Sequence, residues 1–126
     1  MARTALTPVV LTANTSTADP AGTSYDATNS HYFTPTSPLN EYVIRVTNTT
    51  SSTKTVTVKA GDSPPASDSG QGDVVVSLTA GNVTTQVKWI GPLQSGRFMQ
   101  DDGTVNIDIA ASMTGAITVF SIPRNV

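Results

Sequence analysis

Residues 41–60 read EYVIRVTNTTSSTKTVTVKA, two alternating runs on either side of a polar stretch. In the first run Tyr42, Ile44 and Val46 share one side of an extended chain; in the second, Val56 and Val58 do. Successive side chains of a strand point to opposite faces, so a period of two marks strands with one buried face. The polar run Asn48-Thr49-Thr50-Ser51-Ser52 between them predicts a β-hairpin. The same pattern returns further on. Val105, Ile107 and Ile109 alternate with Asn106 and Asp108, and Val74 to Leu78, Val83 to Ile90, Ser95 to Gln100 and Ala116 to Ile122 read as further strands. Asp101-Asp102-Gly103 is a tight-turn signal, while Thr79 to Asn82 and Met113 to Gly115 mark turns. No stretch carries a helical stripe, and Ala110 to Met113 has room for one helical turn at most.

The composition agrees with an all-β chain. Ser and Thr abound, and only 13% of the 126 residues are charged, about half the usual share. Thr suits strands and Ser suits turns. With one Trp, three Phe and three Tyr, the core must be mainly Val, Ile and Leu. Ile44, Val46, Val56, Val58, Val87, Trp89, Ile107, Ile109 and Val119 are the expected inward residues. The expected architecture is an antiparallel β-sandwich or squashed barrel of about eight short strands, occupying residues 41–126, preceded by an extended N-terminal arm, residues 1–40.

That arm is rich in Thr, Ser, Ala and Pro. It offers short strands at Pro8 to Thr12 and within Tyr25 to Phe33, a turn at Pro20 to Gly22, and prolines at 35 and 38. A Pro-rich extended segment suits an edge strand laid on a neighbour. Arg3, Leu6, Val9, Leu11, Tyr25, Tyr32 and Phe33 are its candidate interface residues, with Arg97 as a further candidate anchor outside it. Residues 61–72 are polar and lack a hydrophobic anchor, which predicts an exposed excursion.

Several functions find no support in the residues. A net charge of −2 without a basic run argues against nucleic-acid binding. The absence of cysteine removes disulfides, thiolate metal sites and a Cys nucleophile. Neither a signal-peptide core nor an apolar run of membrane-spanning length is present, so synthesis in a cytoplasm and no membrane partner are expected. The sequons at Asn14, Asn48 and Asn82 read as accidents of a Thr-rich composition. His31, the single histidine, has no G-x-S-x-G elbow to serve and reads as an ordinary strand or loop residue. Asp101 and Asp102 lack the spacing of a calcium loop, and Asp62, Asp68 and Asp73 read as solvated loop acids. No catalytic set, cofactor or metal is therefore expected, and the chain does not read as an enzyme. Trp89 follows Val87 on one side of its strand, with Lys88 on the other, which places the indole in the core.

The runs Val43 to Thr50 and Thr55 to Asp62, then Trp89-Ile90-Gly91-Pro92-Leu93, Arg97-Phe98 and Gln100 to Gly103, resemble the small head-decoration (cement) proteins of tailed bacteriophages, chiefly those of actinobacteria. The likeness spans roughly residues 41–124. It implies a β-rich homotrimer on the capsid exterior of the virion, made in the host cytoplasm, that bridges major capsid proteins and stabilises the shell. The alternative is a carbohydrate- or receptor-binding β-sandwich of a tail or surface adhesion protein. The place of Trp89 separates the two. A buried indole favours reinforcement, and an exposed aromatic groove favours a binding module.

Overall fold

The computed structural model describes residues 2–62, 66–79 and 86–123. It is a sandwich of two mixed sheets. The strands are β1 (Thr4–Ala5), β2 (Val9–Val10), β3 (Thr23–Ser24), β4 (His31–Phe33), β5 (Tyr42–Asn48), β6 (Lys54–Val58), β7 (Val74–Leu78), β8 (Gln86–Ile90), β9 (Val105–Ile109) and β10 (Ala116–Ser121). Sheet A runs β1-β4-β9-β6-β7 and sheet B runs β2-β10-β5-β8, with β3 also on β10. Most pairings are antiparallel, but β1 lies parallel to β4 and β2 parallel to β10. The predicted turn between Thr79 and Asn82, and the first residues of the strand read from Val83, fall largely outside the described residues.

The strands of the opening stretch exist, but they do not form a hairpin. β5 belongs to sheet B, between β10 and β8, and β6 to sheet A, between β9 and β7. The polar run between them crosses from one sheet to the other. Asn48 explains why the chain turns there. It continues the inward side of β5 after Tyr42, Ile44 and Val46, and it is fully buried. Its Nδ2 donates to the carbonyls of Ser52, Leu78 and Thr79, and its Oδ1 accepts from the Thr50 amide. A buried amide is stable only when its polar atoms are matched, and here the match ties β5 to the end of β7 in the opposite sheet. Such a buried side chain cannot serve as a glycan acceptor.

Between the sheets the expected inward residues Ile44, Val46, Val56, Val58, Ile107, Ile109 and Val119 are buried, joined by Phe33, Leu39, Tyr42, Leu78 and Ile117. Phe33 and Tyr42 pack with ring centroids 5.4 Å apart. Val87 and Trp89 are corrections: they are 47% and 60% exposed. In β8 the inward position opposite Ile44 is Ile90, and Trp89 stands opposite Arg45 on the outer face. The strand was read one residue out of phase, and one step of register reverses every side chain of a strand. Lys88, on the inward parity, reaches past the sheet edge and donates to the Ser77 carbonyl of β7.

Three further readings change. The N-terminal segment is extended, but it lies on this chain's own sheets, through β1 and β2, and it places Leu6 and Phe33 in the core. Ser95–Phe98 is one turn of helix, α1, rather than a strand. The described part of the 61–72 excursion is anchored. Ala66 is fully buried and the Arg97 carbonyl receives the Gly61 amide. A Cβ at Gly61 would run into the backbone of Met99, so glycine permits that close approach. The 101–103 turn forms as expected, closed by Gly103 N to Gln100 O at 3.0 Å.

Candidate binding face

The outer face of sheet B is assembled from the outward positions of three strands. β5 supplies Val43 and Arg45, β10 supplies Thr118 and Phe120, and β8 supplies Val87 and Trp89. Register sets their neighbours. Arg45 lies between Trp89 on one side and Thr118 on the other, and Phe120 lies opposite Val43. This brings the Trp89 and Phe120 rings to 5.3 Å at 30° across β5, with the Arg45 guanidinium 5.9 Å from the Phe120 ring centre. Phe120 is buried at the floor and Trp89 stands as an exposed wall.

Residues 11–20 arch over one end of this face. Asp19 pairs with Arg45, and the Pro20 carbonyl accepts from Arg45 Nη2 at 2.7 Å. The result is an open groove of about 280 Å³, lined by Leu11, Asp19, Pro20, Trp89, Phe120 and Ile122. Val10 and Ile122, both largely exposed, extend the apolar surface. Below the arch, the Arg45 Nε and Thr118 Oγ1 are buried with no hydrogen-bond partner among the described residues. Gly22 passes over the threonine, where a Cβ would lie 2.6 Å from Oγ1.

The other residues proposed as interface anchors are placed as follows. Leu11 is half-buried at the groove and Val9 half-buried beside it. Leu6 and Phe33 belong to the core, which removes them from any interface of the folded chain. Tyr25 Oη donates to the Thr47 carbonyl at 2.7 Å and accepts its amide at 3.2 Å, and burial pushes the hydroxyl well above its ordinary pKa. Tyr32 is half-buried on the outside of sheet A. Arg3 pairs with Asp108 at 2.6 Å. Arg97 is turned inward to its own chain, donating from Nε to the Gly72 carbonyl at 3.0 Å with its guanidinium over Phe98. Of the three acids read as solvated, Asp62 and Asp73 have structural partners for their carboxylates, while Asp68 is exposed as read. Asp73 accepts from Lys59 and from the Ala60 amide, Asp62 accepts from the Asp101 amide, and its charge raises the Asp101 pKa. The Asp102 carboxylate is lowered by the Thr104 hydroxyl, and the Asp68 amide donates to the Gly96 carbonyl.

His31 touches backbone groups, with no hydroxyl nucleophile on its ring. Among the described residues no three His, Cys, Asp or Glu side chains converge on a metal position. No family model matches the chain, and neither does any curated protein or solved structure. Sequence reasoning missed the face because it counted Trp89 into the core. The signal was Ile90, the last apolar residue before Gly91-Pro92: placing it inward turns Trp89 and Val87 out.

Proposed function

We propose that this protein is a structural component of a phage virion, docking on the capsid exterior through the outer face of sheet B and holding neighbouring major capsid proteins together. The exposure of Trp89 is the outcome that the sequence reading assigned to a binding module; what supports a protein partner instead is the setting of this indole, packed on a buried phenylalanine and ringed by aliphatic side chains. Large aromatics ringed by apolar side chains are the usual anchors of protein interfaces. The resemblance of residues 41–124 to head-decoration proteins supplies the kind of partner and the expectation of a trimer, in which several weak contacts reinforce one another. The same exposed tryptophan favours a second reading, a carbohydrate- or receptor-binding module, because an indole next to the Arg45–Asp19 pair offers a ring face and hydrogen-bonding groups together. The aliphatic surround of Val10, Leu11, Val87 and Ile122 favours a protein partner.

The test is add-back to stripped capsids, comparing the full chain with Trp89→Ala. The wild-type chain is expected to raise the temperature of genome release, since a ligand of the assembled shell stabilises it by mass action. Binding should change little with salt, because the face is apolar and its one ion pair is internal. Trp89→Ala should bind about tenfold or more weakly. Equal release temperatures with and without the protein would exclude reinforcement. Retention on immobilised glycans, lost in Trp89→Ala, would establish the second reading instead.

A further inference from the structure

His31 stands on β4 opposite Ile107 of β9, on the inward side, and is fully buried. Its ring makes two polar contacts, both with backbone. Nε2 lies 3.0 Å from the Asp26 amide nitrogen, which can only donate, so Nε2 accepts. Nδ1 lies 3.2 Å from the Thr4 carbonyl oxygen, which can only accept, so Nδ1 carries the proton. These partners define a single neutral tautomer. An imidazolium donates from both nitrogens, so its Nε2–H would meet the Asp26 N–H head-on in a site closed to solvent.

We infer that His31 is a proton-operated catch for the Asp26 turn and the N-terminal strand tied to it: the neutral ring holds the Asp26 amide at Nε2, and protonation expels that amide, and with it the Asp26 carboxylate that holds Thr4, so that residues 3–6 loosen from sheet A. The strand has other holds besides the ring, the Arg3 side chain among them. The Thr4 and Leu6 amides donate to Ser30 and Tyr32 carbonyls at 2.9 and 2.8 Å, the Thr4 hydroxyl bonds the Asp26 carboxylate, and Leu6 is buried. The charged groups around the ring are Asp26 on the preceding turn, Arg3 on the N-terminal segment, Asp108 on β9 and, beyond it, Lys59 of the segment following β6. None is available to take the new proton's hydrogen bond. Asp26 Oδ1 already accepts the Thr28 and Asn29 amides, and Oδ2 the Thr4 hydroxyl and the Asn29 side chain. Arg3 is engaged by Asp108 and by the His31 and Ile107 carbonyls, and Lys59 by Asp73 and Asp108.

Burial lowers the His31 pKa below its ordinary value, outweighing the Thr4 carbonyl and the Asp26 charge, which raise it. A released histidine titrates near 6.5 and the held one lower. Attachment is therefore complete above about pH 6.5 and weakens as pH falls below it, because the released state then binds the extra proton.

Amide hydrogen exchange by NMR on the full chain, between about pH 7.5 and pH 5 with intrinsic rates corrected, tests this. Protection at Thr4 and Leu6 should fall roughly tenfold across that range, following the titration of the His31 ring, while Ile44 and Val119 stay protected. In His31→Gln, which keeps a donor and an acceptor but does not titrate, the dependence should vanish. Protection at Thr4 and Leu6 that stays flat across the range would overturn the inference, as would a His31 ring titrating at or above the ordinary value. These wild-type readings decide the matter even if the variant does not fold, and they are independent of any capsid binding.

Discussion

The two outer faces of the sandwich arise from the same alternating strands and end in opposite chemistry. On sheet A the outward residues include Lys59, Asp73 and Asp108, which Arg3 joins in a chain of ion pairs at 2.6 to 3.9 Å. On sheet B the outward residues are Val43, Val87, Trp89 and Phe120, with one internal pair between Arg45 and Asp19. Exposed ion pairs contribute only about 0–1 kcal/mol each, so the sheet A network does little to hold the fold. Its effect is to leave that face satisfied by its own partners. Sheet B keeps apolar area in water, which stability alone does not require. The difference is one of degree, since Val75 also stands exposed on sheet A, and it separates a mainly polar outer face from a mainly apolar one.

The contrast can be broken most severely where the two sheets are joined. Asn48→Ala removes the side chain linking β5 to the carbonyls of Leu78 and Thr79, and should cost about 2–4 kcal/mol, since buried acceptors lose their donor. Urea unfolding would measure it, and both faces should be lost in one transition. A cost under about 1 kcal/mol would mean the crossover is held by something other than Asn48.

Trp89→Ala sharpens the comparison on sheet B. Its effect on stability should be under about 1 kcal/mol, because the indole is mostly in solvent, while its effect on docking should be large. A loss of several kcal/mol would make Trp89 part of the fold and remove the main support for a binding face. The smallest effect is expected on sheet A. Arg3→Ala should lower stability by about 0.5–1 kcal/mol, and added salt should narrow the gap between variant and wild type. A larger, salt-insensitive loss would show that Arg3 acts through its hydrogen bonds to the Ile107 and His31 carbonyls rather than through charge.

Much of the sandwich was legible because alternation reports which side of a strand is buried. Ile44, Val46, Val56, Val58, Ile107, Ile109 and Val119 are inside for that reason. Alternation does not report which strand lies alongside. β5 and β6 look like a hairpin in sequence, and only Asn48, a polar residue on a buried parity, hints that the chain leaves one sheet for the other. The binding face was hidden by a single residue of phase in β8, where a strand with large residues on both sides can be read either way. His31 was passed over because its ring is fixed by two backbone groups, the Asp26 amide of the preceding turn and the Thr4 carbonyl of β1, which no motif encodes. Ser95–Phe98 was misread because four residues are too few to show a helical period.

The shuttling of the chain between sheets has a consequence for how the molecule is made. β10 lies between β2 and β5 in sheet B, yet it leaves a ribosome after all the other described strands. Until it arrives, the inward sides of β5 and β8 have no complete sheet to join. Sheet A waits likewise for β9, which sits between β4 and β6. Neither sheet can mature early while the other follows, and such long-range closure is slow. A ribosome stalled before Ala116 would present a chain with Ile44 and Val46 uncovered, a natural substrate for chaperones rather than a partly built domain.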